Sequence, residues 1–504
     1  FAQTNPYYRK TDENGEPVKV LESFSYFDIN TFRIINENVY GPFYDLSNTN
    51  FDRTHTLGIT NNFEADWRVI DELRIRARIG VNKSNEQAEK FSSPFNSEFV
   101  GKEDNEKGAY TESEKHVFGY DGDLSVTYGK LLAERHMVNA VAGMRFTQST
   151  SNLNGYTMRG FIDDEFSNPS FAQEYNPDKK VYQDVKKRTA SYYVNLGYAY
   201  DNRYLLDANW RADGASIFGV NKLFTNTWSV GLGWNIHNEH FLEGAGWLDM
   251  LKLRVSYGTL GNNATSTFYM YQPLYASANY VLGNAVASGL AQTTLANPNL
   301  TWETTHMTNI GLDYGLFDHR LSGSVDVFNR LTTDILISLP APLEHGTSAV
   351  PNQNAGKVRN RGIDFDISWF DHIGSMTYSL GFHMGYVRNK VTKFQGKVPS
   401  INGVYKLQEG KPINQLYVMS VDRIVRDQSD LDYVQSLVDK NPDYFATYQR
   451  PELGDFLYAD ANHDGNLDAN DRIEIGNGNS PSFTFGGNIG ISWKGFDFSM
   501  TWSG

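Results

Sequence analysis

The sequence of 504 residues contains no cysteine. That excludes disulfides, a thiol nucleophile and cysteine-ligated zinc. It contains no apolar run of about 18 residues, which excludes a membrane-crossing helix. Proline is scarce, at 16 residues. The formal net charge of −14 lacks the basic surplus that a phosphate-binding surface needs, so no nucleic acid is expected as a partner. No GxSxG, HExxH or phosphate-cradling glycine loop occurs. His237 and His240 stand three apart without a third ligand, and carboxylate pairs such as Asp163 and Asp164 lie in polar loop sequence. Nothing selects an enzyme.

What is present is aromatic and alternating. There are 30 Tyr, 31 Phe, 9 Trp and 44 Gly. Low overall hydropathy first points to a soluble protein, but membrane β-strands alternate lipid-facing and lumen-facing residues, and the average hides them. Leu73, Ile75, Ala77, Ile79 and Val81 oppose Arg74, Arg76, Arg78 and Asn82. Trp228, Val230, Leu232, Trp234 and Ile236 oppose Ser229, Gly231, Gly233 and Asn235. Leu251, Leu253, Val255 and Tyr257 oppose Lys252, Arg254 and Ser256, and Ile363, Phe365, Ile367 and Trp369 oppose Asp364, Asp366 and Ser368. Strict period two marks half-buried strands, with the charged face wet.

One such strand also fits a soluble sandwich; the arrangement of many does not. Strands come in pairs joined by short turns at 201–203, 318–319, 371–374 and 494–495. Long polar stretches at 83–116, 149–188, 261–304 and 330–360 separate the pairs. Short turns at one end and long loops at the other are the pattern of an outer-membrane barrel, with turns periplasmic and loops extracellular. Tyr198, Tyr200, Tyr204, Trp493, Phe496 and Phe498 beside the turns fit an interfacial girdle.

The expected fold is all-β: a transmembrane, antiparallel, up-and-down barrel, with about fourteen spanning strands in this sequence. Residues 1–56 are expected to be an N-terminal part forming an extracellular loop. Residues 57–387 are expected to carry barrel hairpins, 388–481 one extracellular excursion, and 482–504 a last hairpin. Strand parity places the strand-like stretch 416–424 inside the excursion, not across the membrane. An open sheet edge is not tolerated in lipid, so further strands are expected beyond the sequence. The start at Phe1 without methionine or leader, and the end at Gly504 inside a strand pattern, are expected of a piece of a longer chain.

Several segments resemble the SusC/RagA family of TonB-dependent transporters. Residues 210–219, WRADGASIFG, resemble its DGSSRFG-type signature, with Ala215 and Ile217 departing from it. Asn297-Pro298-Asn299-Leu300-Thr301-Trp302-Glu303 resembles its NPxLxWE block. Similar blocks follow at 238–242, 251–258, 261–262, 309–313, 360–364, 458–476, 480–481 and 494–497, in the family's order. Near the start, only Asn5-Pro6-Tyr7-Tyr8 adds to the barrel pattern. The resemblance implies a barrel of about 22 strands filled by a plug. It also implies outer-membrane lipid as surroundings in a Gram-negative, Bacteroidota-type bacterium, and a SusD-like surface lipoprotein as lid. It implies TonB-powered import of an oligosaccharide or peptide, with TonB acting through a plug that this sequence does not include. A passive porin and a scaffold subunit of another outer-membrane complex are the alternative functions.

Three groups of residues are candidate sites. Asp460, Asn462, Asp464, Asn466, Asp468 and Asp471 fit the calcium-loop template, with Gly465 at the sharp turn and Leu467 at its apolar position. A structural calcium ion is the cofactor this implies. The plain alternative is a turn that Asp and Asn stabilise unaided. Phe268, Tyr269, Tyr271, Tyr275 and Tyr280 could stack on a sugar or anchor a partner, or pack on one another. Arg74, Arg76 and Arg78 form a basic stripe on a lumen-facing strand side, which either docks an acidic group or is balanced by neighbouring acids.

Overall fold

The computed structural model describes residues 8–28, 33–177, 181–263, 269, 271–283, 285–337, 352–395, 400–476 and 478–504. A hairpin comes first, β1 (Val20–Asp28) with β2 (Arg33–Tyr40), then the short helix α1 (Pro42–Ser47). Long strands follow: β3 (Phe51–Ile70), β4 (Leu73–Ser92), β5 (Ala109–Leu132) and β6 (His136–Arg159). Next come the two-residue β7 (Glu174–Tyr175), then β8 (Val181–Tyr200), β9 (Tyr204–Ala215), β10 (Phe224–Asn235) and β11 (Leu248–Asn262). A separate hairpin, β12 (Leu274–Leu282) with β13 (Ala285–Thr294), precedes β14 (Glu303–Leu316), β15 (Leu321–Ile337), β16 (Gln353–Ile373) and β17 (Met376–Phe394).

The main sheet is antiparallel, with fourteen strands on one path in the order β3-β4-β5-β6-β8-β9-β10-β11-β14-β15-β16-β17, then two more, β24 (Phe483–Trp493) and β25 (Phe496–Ser503). This is the all-β, up-and-down order that the alternation predicts.

The connections alternate. Asp71–Glu72, residues 133–135, 201–203 and 317–320, Gly374–Ser375 and Lys494–Gly495 are tight. Left-handed backbone at Asp201 and Asn202, both at φ 50°, and at Lys494 and Gly495 turns the chain back at once. The β10–β11 link is longer, spanning 236–247 with two short 3-10 turns.

Strand ends differ from the sequence reading. The path begins at Phe51 instead of near residue 57, and β4, β5, β6, β15, β16 and β17 run far into stretches expected to be loops. β5 and β6 reach 24 residues each. A tilted strand needs about 9–11 residues to cross lipid. Beyond the bilayer both faces are wet, so the period-two signal fades although the hydrogen-bond ladder continues.

The chain divides into two compact units. The first comprises Phe1–Asp66, Arg76–Leu124 and Arg145–Thr189. Its core is Phe91, Tyr110 and Phe161, with Phe51, Met158 and Ala172 packed on it. Phe91 and Phe161 meet edge-on with centroids 5.1 Å apart. Asp45 ties α1 down by accepting from the Ser97 backbone N–H at 2.7 Å and its hydroxyl at 2.6 Å.

The second unit comprises Trp67–Ile75, Ser125–Met144 and Ala190–Gly504. Its register sorts side chains into two faces. Leu232, Val255, Ile310, Val327, Ile363, Tyr386 and Phe483 form one row across seven neighbouring strands. The row is largely exposed, Leu232 by 57%, Ile310 by 49% and Val327 by 52%. A continuous exposed apolar face of this extent is unstable in water and matches the lipid-facing band of a membrane barrel.

Between β17 and β24 the chain leaves the main sheet. β18 (Ser400–Asn402), β19 (Tyr405–Leu407), β20 (Gln415–Met419) and β23 (Arg472–Ile475) form a small sheet. β21 (Val421–Ile424) pairs with β22 (Phe456–Tyr458). The stretch 416–424 is thus split between two small sheets outside the main one. The helix α2 (Gln428–Lys440) starts at Asp427, whose carboxylate accepts from the Ser429 and Asp430 backbone N–H groups. The Ser429 hydroxyl, together with these backbone N–H groups, holds the Asp427 carboxyl below its usual range. Val434 of α2 packs with Val425 and Leu457, and Leu431, Leu437 and Phe445 close that core.

Candidate functional site

The polar face of the second unit carries a charge network that sequence reasoning missed. Arg254 on β11 lies opposite Gly311 of β14, which lies opposite Asp326 of β15. The guanidinium donates to both Asp313 oxygens at 2.7 Å and to Asp326 at 3.1 Å. Asn309 donates to Asp326 at 2.7 Å. Gly311 makes room for this, since a Cβ there would stand 2.8 Å from the Arg254 Cζ. Asp326 and Asp364 face each other on β15 and β16, so Arg254 offsets a repulsion between like charges. The charges lie at positions one residue off the apolar row, on the side a barrel turns to its lumen.

In the first unit, Arg76 contacts Glu64 and Asp66, each at 3.2 Å. Arg78 reaches Asp121 at 3.5 Å. Both are set among acids on neighbouring strands. Arg74 falls in the second unit and has partners of its own.

Of the aromatic group, Phe268 lies outside the described residues. Tyr269 and Tyr271 are half-buried, and the Tyr271 hydroxyl accepts from Gln272 at 3.1 Å. Tyr275 and Tyr280 are 60% and 70% exposed on β12. They pair with Gln292 and Ala287 in one unbroken register and are five residues apart, so they point to opposite faces of the hairpin. No single stacking platform includes both.

The acidic loop is a chain of Asx turns. Asp460 accepts from Gly465 N–H at 2.9 Å, Asn462 from Asp464 N–H at 2.9 Å, and Asp464 from Asn466 N–H at 2.8 Å. Asp468 caps a 3-10 turn by accepting from Asn470 N–H at 2.7 Å. Asn441 clamps the loop from outside, donating to the Gly465 carbonyl and to Asn466 Oδ1. Leu467 is buried, and its N–H donates to the Tyr444 carbonyl. Burial, with Asp460 near by, pushes the Tyr444 hydroxyl up to about 12.

Asp471 is fully buried and spent on backbone. One oxygen accepts from Ala461 and Asn462 N–H, the other from Asp468 N–H. One oxygen of Asp460, Oδ1, is buried without a hydrogen-bond partner. Among the described residues no three acidic, His or Cys groups converge as a preformed metal cluster. The loop's donor set is oxygen-only and suits a hard cation, with Asp460 Oδ1 its free acceptor.

His237 and His240 serve the β10–β11 turn instead. His237 Nδ1 lies 3.2 Å from the Leu251 backbone, and His240 Nδ1 lies 2.5 Å from Glu243. Glu239 between them accepts from the Tyr204 hydroxyl at 2.7 Å and Trp234 Nε1 at 3.0 Å. Those two donors hold its carboxyl below the usual range.

The two signature blocks meet. Ala215, Ile217, Phe218, Leu300 and Trp302 form one buried cluster. Phe218 and Trp302 stack with centroids 4.8 Å apart, and Gly219 N–H donates to the Leu300 carbonyl. Gly219 is needed for close approach, because a Cβ there would lie 1.9 Å from the Pro298 carbonyl oxygen. The chain matches the family model described as TonB dependent receptor-like, beta-barrel, over residues 3–503. It belongs to that family.

This receptor barrel is of the SusC/RagA type and belongs in the outer membrane. It is 29% identical to TonB-dependent receptor P39 of Formosa agariphila over 85% of this chain and 43% of that protein. It is 26% identical to TonB-dependent receptor SusC of Bacteroides thetaiotaomicron over 89% of this chain and 43% of that protein. The solved RagAB peptide transporter has the same fold, with a TM-score of 0.76 at 23% identity, over 99% of this chain and 52% of that one. The receptor barrel spans about half the length of the relatives it matches.

Proposed function

We propose that this barrel forms part of a TonB-dependent importer that takes a bulky nutrient, an oligosaccharide or a peptide, across the outer membrane. A SusD-like lipoprotein would lid it on the long-loop side, and a plug carried elsewhere in the full protein would couple it to TonB. The role is transport, not catalysis. The family match over 3–503 carries the reading. Supporting it is the charged inner row around Arg254, which suits a wet lumen. Purification of the full protein from its native membrane is expected to bring down a SusD-like lipoprotein. Deletion of the gene, or of TonB, is expected to abolish growth on one oligomeric nutrient class while growth on its monomer persists. Unchanged growth on every oligomer, with no lipoprotein recovered, would overturn the reading in favour of a scaffold.

We also propose that the loop around Asp460 takes calcium as a structural ion. Asp460 Oδ1, buried without a partner, supports this. Millimolar calcium is expected to slow proteolysis within residues 400–476 of the whole protein, and Asp460→Asn to remove that protection. Equal cleavage with calcium and with chelator would sink the idea.

A further inference from the structure

The exposed apolar band ends abruptly in positive charge. On β16 and β17 the cross-strand pairs Trp369–Leu380, Ile367–Phe382, Phe365–Met384 and Ile363–Tyr386 lie on the lipid-facing side. The next pairs on that same side are Arg361–Arg388 and Arg359–Lys390, and past a register shift Lys357 faces Lys393. Like charges placed directly opposite each other destabilise a sheet. Three such pairs in succession, in a chain of net charge −14, call for an anion.

The described carboxylates do not pair with these cations. Among the described residues, none of Arg359, Arg361, Arg388 and Lys390 forms an ion pair. Arg361 Nε donates to the amide oxygen of Asn329 at 3.1 Å, and Arg359 Nε is buried with no partner. Nearby, Glu474 is held below the usual carboxylate range by Lys411 and Lys406, at 2.5 Å and 3.0 Å, and is already neutralised. The four cations line a cavity of about 480 Å³ with Glu409, which accepts from the Phe394 backbone N–H.

Position decides what the anion is. The cluster shares its face with the lipid band, so it is not on the wall that would meet cargo; Asp364 and Asp366 point there instead. Arg361 and Arg388 stand two residues beyond Ile363 and Tyr386, about 7 Å along the strand. With Ile363 and Tyr386 taken as the upper edge of the apolar band, that step leads into the headgroup layer, about 5–7 Å deep. The cluster lies at the end of the hairpin away from the Gly374–Ser375 turn, hence at the long-loop end, which faces outward in this architecture.

We propose that Arg359, Arg361, Arg388 and Lys390 form a site on the outer wall for the phosphate of an outer-leaflet lipid. Planar guanidinium groups bind phosphate oxygens in pairs, and the lysine adds a point charge. The lipid's acyl chains continue down the apolar rows beside them.

The test uses the full protein in detergent, with native mass spectrometry of bound lipid. The probes are phosphorylated lipid A, the same lipid with its phosphate removed, and inorganic phosphate as competitor. The wild type is expected to retain the phosphorylated lipid at least about tenfold over the other. The variant R359Q/R361Q/R388Q/K390Q is expected to lose that preference while keeping the heat-resistant mobility of a folded barrel. Equal retention of both lipids by the wild type, or an unchanged preference in the variant, overturns the proposal. Displacement by an equal concentration of inorganic phosphate also overturns it, because the site would then take free phosphate and not lipid. If the quadruple variant fails to fold, R388Q/K390Q and the wild-type preference decide. None of these outcomes bears on the import reading.

Discussion

Trp302→Ala is expected to destabilise the barrel by about 3–5 kcal/mol, among the largest effects of any single side chain here. Trp302 is 6% exposed and stacks on Phe218, itself 1% exposed. Its indole N–H donates to the Leu223 carbonyl at 3.4 Å. Truncation would remove the ring from a cluster otherwise formed by Ala215, Ile217, Phe218 and Leu300, and would leave a cavity among them. Trp302→Phe keeps most of the buried area and loses a long hydrogen bond, so it is expected to cost about 1 kcal/mol. Denaturant midpoints of folded protein in detergent would measure both. A change within about 0.5 kcal/mol for Trp302→Ala would mean that the junction is a surface contact and not a core.

Asp471→Ala is expected to cost about 3–5 kcal/mol within the excursion, because three backbone N–H groups would lose a buried charged acceptor at once. Asp471→Asn keeps one oxygen for Ala461 and Asn462 but turns an amide N–H₂ toward the Asp468 N–H. About 1–2 kcal/mol is expected for it. Hydrogen exchange at residues 461, 462 and 468 is the direct readout. Protection unchanged in the alanine variant would show that the carboxylate does not hold the loop.

The spanning strands were legible because lipid imposes a rule on every second residue. The alternating faces of the strands that hold Val255 and Ile363 could be read from letters alone. Strand ends were not legible, since a ladder such as β5 continues into water, where neither face is selected. The helix α2 left a signal that went unused: Asp427 as cap, then Leu431, Val434 and Leu437 at helical spacing. The acidic loop was recognisable as a turn, because its hydrogen bonds join near neighbours. The Arg254 network was out of reach, because it needs the register of three strands. Tyr275 and Tyr280 lie in a stretch whose letters resemble a loop, whereas the alternation of β12 sends them to opposite sides.

The junction of the two signature blocks also ties together parts of the chain that are far apart in sequence. Trp302 and Leu223 are 79 residues apart. Until Trp302 arrives, Ile217 and Phe218 have nothing to bury them, and the β9–β10 connection is a loop without a core. Closing that gap costs entropy before any contact repays it. A chain interrupted before residue 300 would therefore present sticky, unsealed hairpins to whatever escorts it to the membrane. The last turn of that lock comes only when β14 docks, so insertion of β9 through β14 should succeed or fail together.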